Sequence, residues 1–156
     1  MKKNFKYFFI FLFLLGCGYT PVYQIKKNSN IRIDIINFSG EKSIGREIIR
    51  GLENFRKNDA KNIFDLNLNS FKQESVVTKD KKGNATSYKL VLTIDAYLTN
   101  KISNKNYEKK FTKQTSYNSK KNKFELEQYK INVEKNMISQ ILQDMNIFLG
   151  NIENDL

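Results

Sequence analysis

The residues that most often carry catalysis are scarce in this chain of 156 residues. The sequence has no His and a single Cys, which excludes imidazole acid–base chemistry, a His-based metal site, an intrachain disulfide and a multi-thiolate metal cluster. Glu125 and Glu127 lie at the start of a predicted helix, where they interact with its dipole and form no acid–base dyad. The sequence contains neither a glycine-rich phosphate loop nor a Gly-x-Ser-x-Gly elbow. We therefore predict that the protein is not an enzyme.

The one cysteine, Cys17, is placed for covalent modification. Three lysines among the first six residues precede nine apolar residues, 7–15, a run too short for a bilayer span of about 20 helical residues. The run ends in Leu-Leu-Gly-Cys at 14–17, which is similar to the lipobox of bacterial lipoproteins. There, diacylglycerol alkylates the thiol, and cleavage frees the Cys amine for a further acyl chain. The alternatives are an ordinary signal peptide with a chance Cys, and a Cys of the core. We expect Cys17 to be lipidated and expect no other cofactor.

This reading divides the chain into four parts. We predict a lipoprotein signal peptide at 1–16, a lipidated tether at 17–30, a single α+β domain at 31–150 and a C-terminal tail at 151–156. The residue after the Cys is Gly18, whereas an Asp there would favour retention in the inner membrane. We therefore expect a lipid anchor in the outer membrane, with the body facing the periplasm or a barrel lumen. Such a body meets no nucleic acid, so the formal net charge of +11 does not predict DNA binding.

Hydrophobic periodicity in the body predicts the element order β-α-β-β-β-α. Strands with alternating apolar and polar residues bury one face, so both amphipathic helices should cover the same face. We predict an α+β fold, in which a four-stranded, mainly antiparallel sheet carries two amphipathic helices on one face. The predicted strands begin at Ile31, near Ile63, at Tyr88 and at Tyr107, and the helices follow the caps Ser43 and Asn122.

Several local features follow from the same periodicity. Ile31, Ile33 and Ile35 should share the buried face of the first strand. The apolar positions of the second strand change parity after residue 68, which predicts a bulge or a break near 69–70. The second helix should end near Gly150.

Two motifs resemble those of one protein family. Residues 17–23, Cys-Gly-Tyr-Thr-Pro-Val-Tyr, are similar to the mature start of the LPS-assembly lipoprotein (LptE) family in its alphaproteobacterial form. Residues 83–90, Gly-Asn-Ala-Thr-Ser-Tyr-Lys-Leu, resemble its Gly-x-Ala-x-x-Tyr-x-Leu run at the second hairpin. The predicted element order is also similar to the fold of this family.

The resemblance implies a non-enzymatic outer-membrane lipoprotein. Members of the family plug and help to assemble the LptD β-barrel translocon and assist lipopolysaccharide insertion at the cell surface. The implied partners are an LptD-like barrel, lipopolysaccharide and the outer membrane. Two alternatives remain open, namely an accessory lipoprotein of another envelope transport complex and a stand-alone periplasmic glycolipid-binding lipoprotein.

Lysines are concentrated towards the end of the predicted sheet. Residues 101–123 contain eight lysines and one acidic residue, Glu108. Lysines can bind lipid A phosphates or an acidic barrel wall as point charges, and they also protect an edge strand from pairing with another chain. The two roles are compatible. The candidate contacts with lipopolysaccharide or the barrel are Lys79, Lys81 and Lys82 in the hairpin, and Lys109, Lys110 and Lys113 in the last strand.

Overall fold

The fold is built on one four-stranded sheet, in the spatial order β1-β2-β3-β4. The computed structural model describes residues 29–56 and 59–156. β1 is parallel to β2, and the pairs β2–β3 and β3–β4 are antiparallel. The predicted α+β class and mainly antiparallel sheet are confirmed. The strands are β1 (Ile31–Ser39), β2 (Asn62–Lys79), β3 (Ala85–Asn100) and β4 (Asn106–Asn118).

The helices contribute to a single hydrophobic core with one face of this sheet. They are α1 (Lys42–Gly51), the four-residue α2 (Glu53–Arg56) and α3 (Lys123–Asn154). In β3, alternate residues from Leu90 to Leu98 are buried, as expected for a strand with one covered face. The predicted amphipathic character of the first helix is also observed, because its apolar residues and one from α2 are buried: Ile44, Ile48, Leu52 and Phe55.

The start of α1 differs from the prediction. The helix begins at Lys42 rather than after Ser43, and Glu41 occupies the N-cap position without a side-chain cap. The Ser43 hydroxyl donates instead to Glu41 Oε1 at 3.1 Å. The backbone N–H of Glu41 is satisfied by Ser70 Oγ of β2 at 3.1 Å. A partner distant in sequence therefore binds an N–H at the helix start, where local side chains often do so.

One strand residue predicted to be buried is exposed. The pairing of β1 with β2 passes from Ile33↔Phe64 directly to Ile35↔Asp65, so Asp34 is an extra residue in β1. The extra residue reverses the alternation of faces. As a result, Ile35 is 46% exposed, and the prediction that it shares the buried face is wrong.

The bulge predicted near 69–70 in β2 is also absent. The register of β2 with β3 is continuous from Phe64 to Val76 and shifts only between Val76 and Lys79. Ser70 keeps the inward position and is buried, whereas Phe71 points to the other face and is 55% exposed. The apparent change of parity arose because a polar residue lies inside and an apolar residue outside.

The long helix starts where predicted and ends later. Asn122 Oδ1 accepts a hydrogen bond from the N–H of Phe124 at 2.8 Å, which confirms the N-cap. The helix continues to Asn154, and Ile152 in its last turn is buried. The predicted domain end at 150 and the tail at 151–156 therefore need correction, because the helix includes the first four of those residues.

Candidate functional site

The hairpin lysines lie at one end of the molecule, in and beside the turn between β2 and β3. Lys79 is the last residue of β2, and Lys81 and Lys82 follow in the turn, all three exposed. Asp80 orders this turn, because its Oδ1 accepts hydrogen bonds from the N–H groups of Lys82 and Asn84 at 2.8 and 2.9 Å. These hydrogen bonds lower the pKa of Asp80, and the one from the Asn84 side chain has the largest effect. The turn thus presents three ammonium groups on an ordered backbone.

The strand lysines divide between the two faces of the sheet. In β4, Lys109 and Lys113 alternate with Lys110, so they point to opposite sides. Lys113 Nζ lies 2.7 Å from Asp144 Oδ2 of α3, and Lys110 Nζ lies 3.6 Å from Asp95 Oδ1 of β3. At least two of the three predicted contact lysines therefore have acidic partners within the domain.

The two groups of lysines do not form one surface. Lys110 lies opposite Asp95, and the last residue of β4, Asn118, lies opposite Ser87 beside the hairpin turn. Lys110 and Asn118 are eight residues apart along β4, so about 27 Å of strand separates Lys110 from the level of the hairpin turn. β4 is an edge strand, and this position fits the protective role of its lysines.

The first described residues lie at the opposite end of the molecule from the hairpin. The N–H of Asn30 donates to Glu153 Oε1 near the end of α3 at 2.7 Å, and β1 pairs with the start of β2. Cys17, the predicted lipidation site, lies outside the described residues. Across 29–56 and 59–156, no helix combines the length and apolar character that a membrane span requires.

A cluster of three tyrosines, which sequence periodicity did not predict, joins β3, β4 and the first turns of α3. The rings of Tyr88 and Tyr117 stack with centroids 5.3 Å apart, and Tyr129 meets Tyr117 edge-on at 6.0 Å. Burial, together with the nearby Glu74, raises the pKa of Tyr117 above its usual range. The phenol therefore stays protonated at neutral pH, and the cluster acts as an extension of the core.

Ion pairs beside this cluster connect three elements. Lys72 Nζ of β2 lies 2.6 Å from Glu41 Oε1 and 3.0 Å from Glu134 Oε2. Lys130 Nζ of α3 lies 3.2 Å from Glu74 Oε1 of β2. These charges line a groove of about 490 Å³. Because the ion-paired residues are far apart in the chain, no local sequence pattern predicts this groove.

The opposite side of the sheet, here called the outer face, has a different character. Within 29–56 and 59–156, no helix packs on it, and its side chains form polar cross-strand pairs. Asn37 Nδ2 donates to Asn67 Oδ1 at 2.8 Å, and the hydroxyls of Thr93 and Thr112 are 3.2 Å apart. Tyr97 of β3 also points to this face and is 48% exposed.

The charges of the outer face balance. Its strands carry three cations and four acids, and Lys101 in the β3–β4 turn adds a fourth cation whose Nζ lies 2.7 Å from Asp34 Oδ2. The excess positive charge of the chain therefore lies elsewhere. The charged strand residues that point to the outer face are Arg32, Asp34, Asp65, Lys89, Asp95, Glu108 and Lys110.

Comparison with solved structures finds this fold in bacterial lipoproteins. Rare lipoprotein B from Shewanella oneidensis is 17% identical with a TM-score of 0.55, over 77% of this chain and 99% of that protein. A lipoprotein of Caulobacter crescentus gives 12% identity and 0.54, over 81% and 92%. A minor lipoprotein of Acinetobacter baumannii gives 11% and 0.57, over 78% and 91%. The chain therefore has the fold of these lipoproteins over nearly their whole length.

Comparison with protein-family models finds no match, and comparison with curated proteins finds none either.

Proposed function

We propose that this protein is an outer-membrane lipoprotein of the LptE type. In this proposal it plugs and helps to assemble an LptD-like β-barrel and assists lipopolysaccharide insertion at the cell surface. It performs no catalysis, and the acyl chains on Cys17 hold it in the membrane.

The observation that carries the proposal is the shared fold. Three lipoproteins align with this chain over 91–99% of their own lengths, and rare lipoprotein B belongs to the LptE family. The lipobox at 14–17 and the family motifs at 17–23 and 83–90 add support from the sequence that is independent of the fold.

The shape of the domain also supports a tethered plug. The first described residues contact the end of α3. From that end of the molecule β2 extends over 18 residues to the hairpin, a length of about 60 Å. A lipid anchor preceding Ser29 would hold this end of the domain at the membrane. The tether would present the rest of the body to a nearby barrel at high effective concentration.

Affinity purification of the full-length, lipidated protein from its own envelope in mild detergent tests the proposal. The expected co-purifying protein is a large outer-membrane β-barrel in stoichiometric amount. The Cys17→Ser variant is the control, because loss of the anchor should reduce recovery of the barrel. Recovery of the protein alone, or with an inner-membrane transporter, would overturn the proposal and favour one of the two alternative lipoprotein roles.

A further inference from the structure

We propose that the outer face of the sheet is the surface that lies against the inner wall of the barrel, with Phe71 and Tyr97 as its main apolar contacts. This inference rests on the proposed function, because the barrel is the partner named there. It adds the side of the domain that meets the wall and the chemistry of that contact.

The first argument is the charge of the face. The chain carries a formal net charge of +11 and 28% charged residues, yet the charges of the outer face balance. At its centre, six residues of three strands carry no charge. Depletion of charged residues is the compositional signature of an interface core. The six are Phe71, Gln73, Val91, Thr93, Thr112 and Gln114.

The second argument is the chemistry of the partner. The interior of a large outer-membrane barrel is polar, and hydroxyl and amide groups can both donate and accept hydrogen bonds with such a wall. Thr93, Thr112 and Gln114 supply these groups. Burying them costs little if they find partners, whereas burying unpaired lysines would leave charges without solvent.

The third argument is the exposure of two aromatic side chains within this polar surface. Phe71 is 55% exposed and lies opposite Thr93, and Tyr97 is 48% exposed and lies opposite Asn67. Aromatic residues on a rigid central strand bury much area with little loss of conformational entropy, and such residues dominate binding energy at many interfaces.

The other side of the domain is a poorer match. α1 and α3 occupy it, and Lys109 and Lys113 lie along its β4 margin. α3 also exposes Ile131, at 45%, so the helix side has an apolar residue of similar exposure. Ile131 serves as the matched control position for Phe71 and Tyr97.

Site-specific photo-crosslinking in cells tests the choice of face. The crosslinker p-benzoylphenylalanine is introduced at Phe71, Tyr97 or Ile131 of the full-length, lipidated protein, and the products are identified by mass spectrometry. We expect the product with the outer-membrane β-barrel to form in higher yield from Phe71 and Tyr97 than from Ile131. A yield from Ile131 that equals or exceeds theirs would overturn the choice of face and leave the proposed function intact.

A pair of charge insertions gives a second test. Gln114 on the outer face and Gln128 on α3 are both exposed, and each is changed to Lys. We expect Gln114→Lys to lower the amount of co-purified barrel about ten-fold, which is the loss of about 1.4 kcal/mol, while Gln128→Lys leaves it unchanged. Thermal unfolding of both variants shows whether the domain stays folded.

The remaining outcomes separate the two proposals. Equal barrel recovery with both variants contradicts the inference about the face. Crosslinked dimers of this chain from Phe71 would instead identify the outer face as a self-association surface and overturn the barrel contact. Absence of the barrel from every crosslink and every purification contradicts the proposed function itself.

Discussion

At the scale of single residues, Gly45 lies where α1 packs against Phe38 of β1. A Cβ built on Gly45 would lie 2.5–2.8 Å from three ring carbons of Phe38, a separation that real side chains do not tolerate. Gly150, in contrast, lies inside α3 with no atom within 4 Å of such a Cβ. The two glycines share a helical backbone and differ in their surroundings.

Substitution of each glycine by Ala separates packing from helix propensity. We expect Gly45→Ala to lower the free energy of unfolding by about 1–3 kcal/mol through overpacking against a rigid ring. We expect Gly150→Ala to raise it by about 0.5–1 kcal/mol, because Ala favours the helix. Urea unfolding followed by circular dichroism measures both. A stabilised Gly45→Ala would contradict the tight contact with Phe38.

Individual residues also show how far sequence reasoning reached. The alternation of apolar residues in β3 was sufficient, since this central strand is regular and one of its faces is covered. Ile35 was predicted wrongly because one extra residue, Asp34, reverses the faces of β1, and this insertion is defined only by pairing with β2. Ser70 misled for a related reason, since the group that makes its burial favourable is the N–H of Glu41, 29 residues away.

At the scale of elements, one lysine of β2 forms ion pairs with both the start of α1 and α3. Lys72 lies between Glu41 and Glu134. The hydrogen bond from Lys72 is the main cause that lowers the pKa of Glu41 below its usual value of 4.5. Burial alone would lower the pKa of Lys72, but its hydrogen bonds to Glu41 and Glu134 outweigh burial and raise it above 10.5.

These shifts predict how these ion pairs respond to pH. A carboxyl with a lowered folded-state pKa stabilises the protein above its unfolded pKa, and this stability is lost as the pH falls through the folded value. The raised pKa of Lys72 acts in the opposite direction, so its contribution is lost only as the pH rises above 10.5. The Glu41–Lys72 contribution should therefore be complete at neutral pH and decline as the pH falls below about 4.

The Glu41→Gln variant tests this response. We expect it to be less stable than the wild type at pH 7 and to approach it at pH 3, as measured by urea unfolding at both values. Glu47→Gln serves as the comparison, since Glu47 pairs with the exposed Arg50 at 3.3 Å on its own helix. A difference from the wild type that is the same at both pH values would contradict the role of this ion pair.

The candidate lysines illustrate the limit of site prediction at the same scale. The strand that carries them was identified and forms an edge of the sheet, which supports the protective role. Their partners were not predictable, because Asp144 and Asp95 lie on α3 and β3 rather than near Lys113 and Lys110 in the sequence. The sequence therefore predicted where the lysines are concentrated but not which acidic residues form ion pairs with them.

At the scale of the whole molecule, the proposed anchor depends on Cys17. A serine hydroxyl does not replace the nucleophilic thiol, so we expect Cys17→Ser to incorporate no labelled palmitate and to keep residues 1–16. Gly18→Asp is the companion variant, expected to remain acylated but to fractionate with the inner membrane. Labelling of the Cys17→Ser protein would contradict the assignment of the lipidation site.

The strand order has a final consequence for how the chain folds. β2, β3 and β4 are joined by two five-residue turns, whereas 22 residues separate β1 from β2, so closing the longer loop costs about 1.3 kcal/mol more entropy. We therefore expect the three-stranded meander to form first and β1 to pair last, so that amides of β1 gain protection from hydrogen exchange after those of β3. Until then, β2 has an open edge beside the buried positions of Phe64, Leu66 and Leu68. The first strand of the domain, which follows the proposed tether, is thus the one that closes this edge against pairing with other chains.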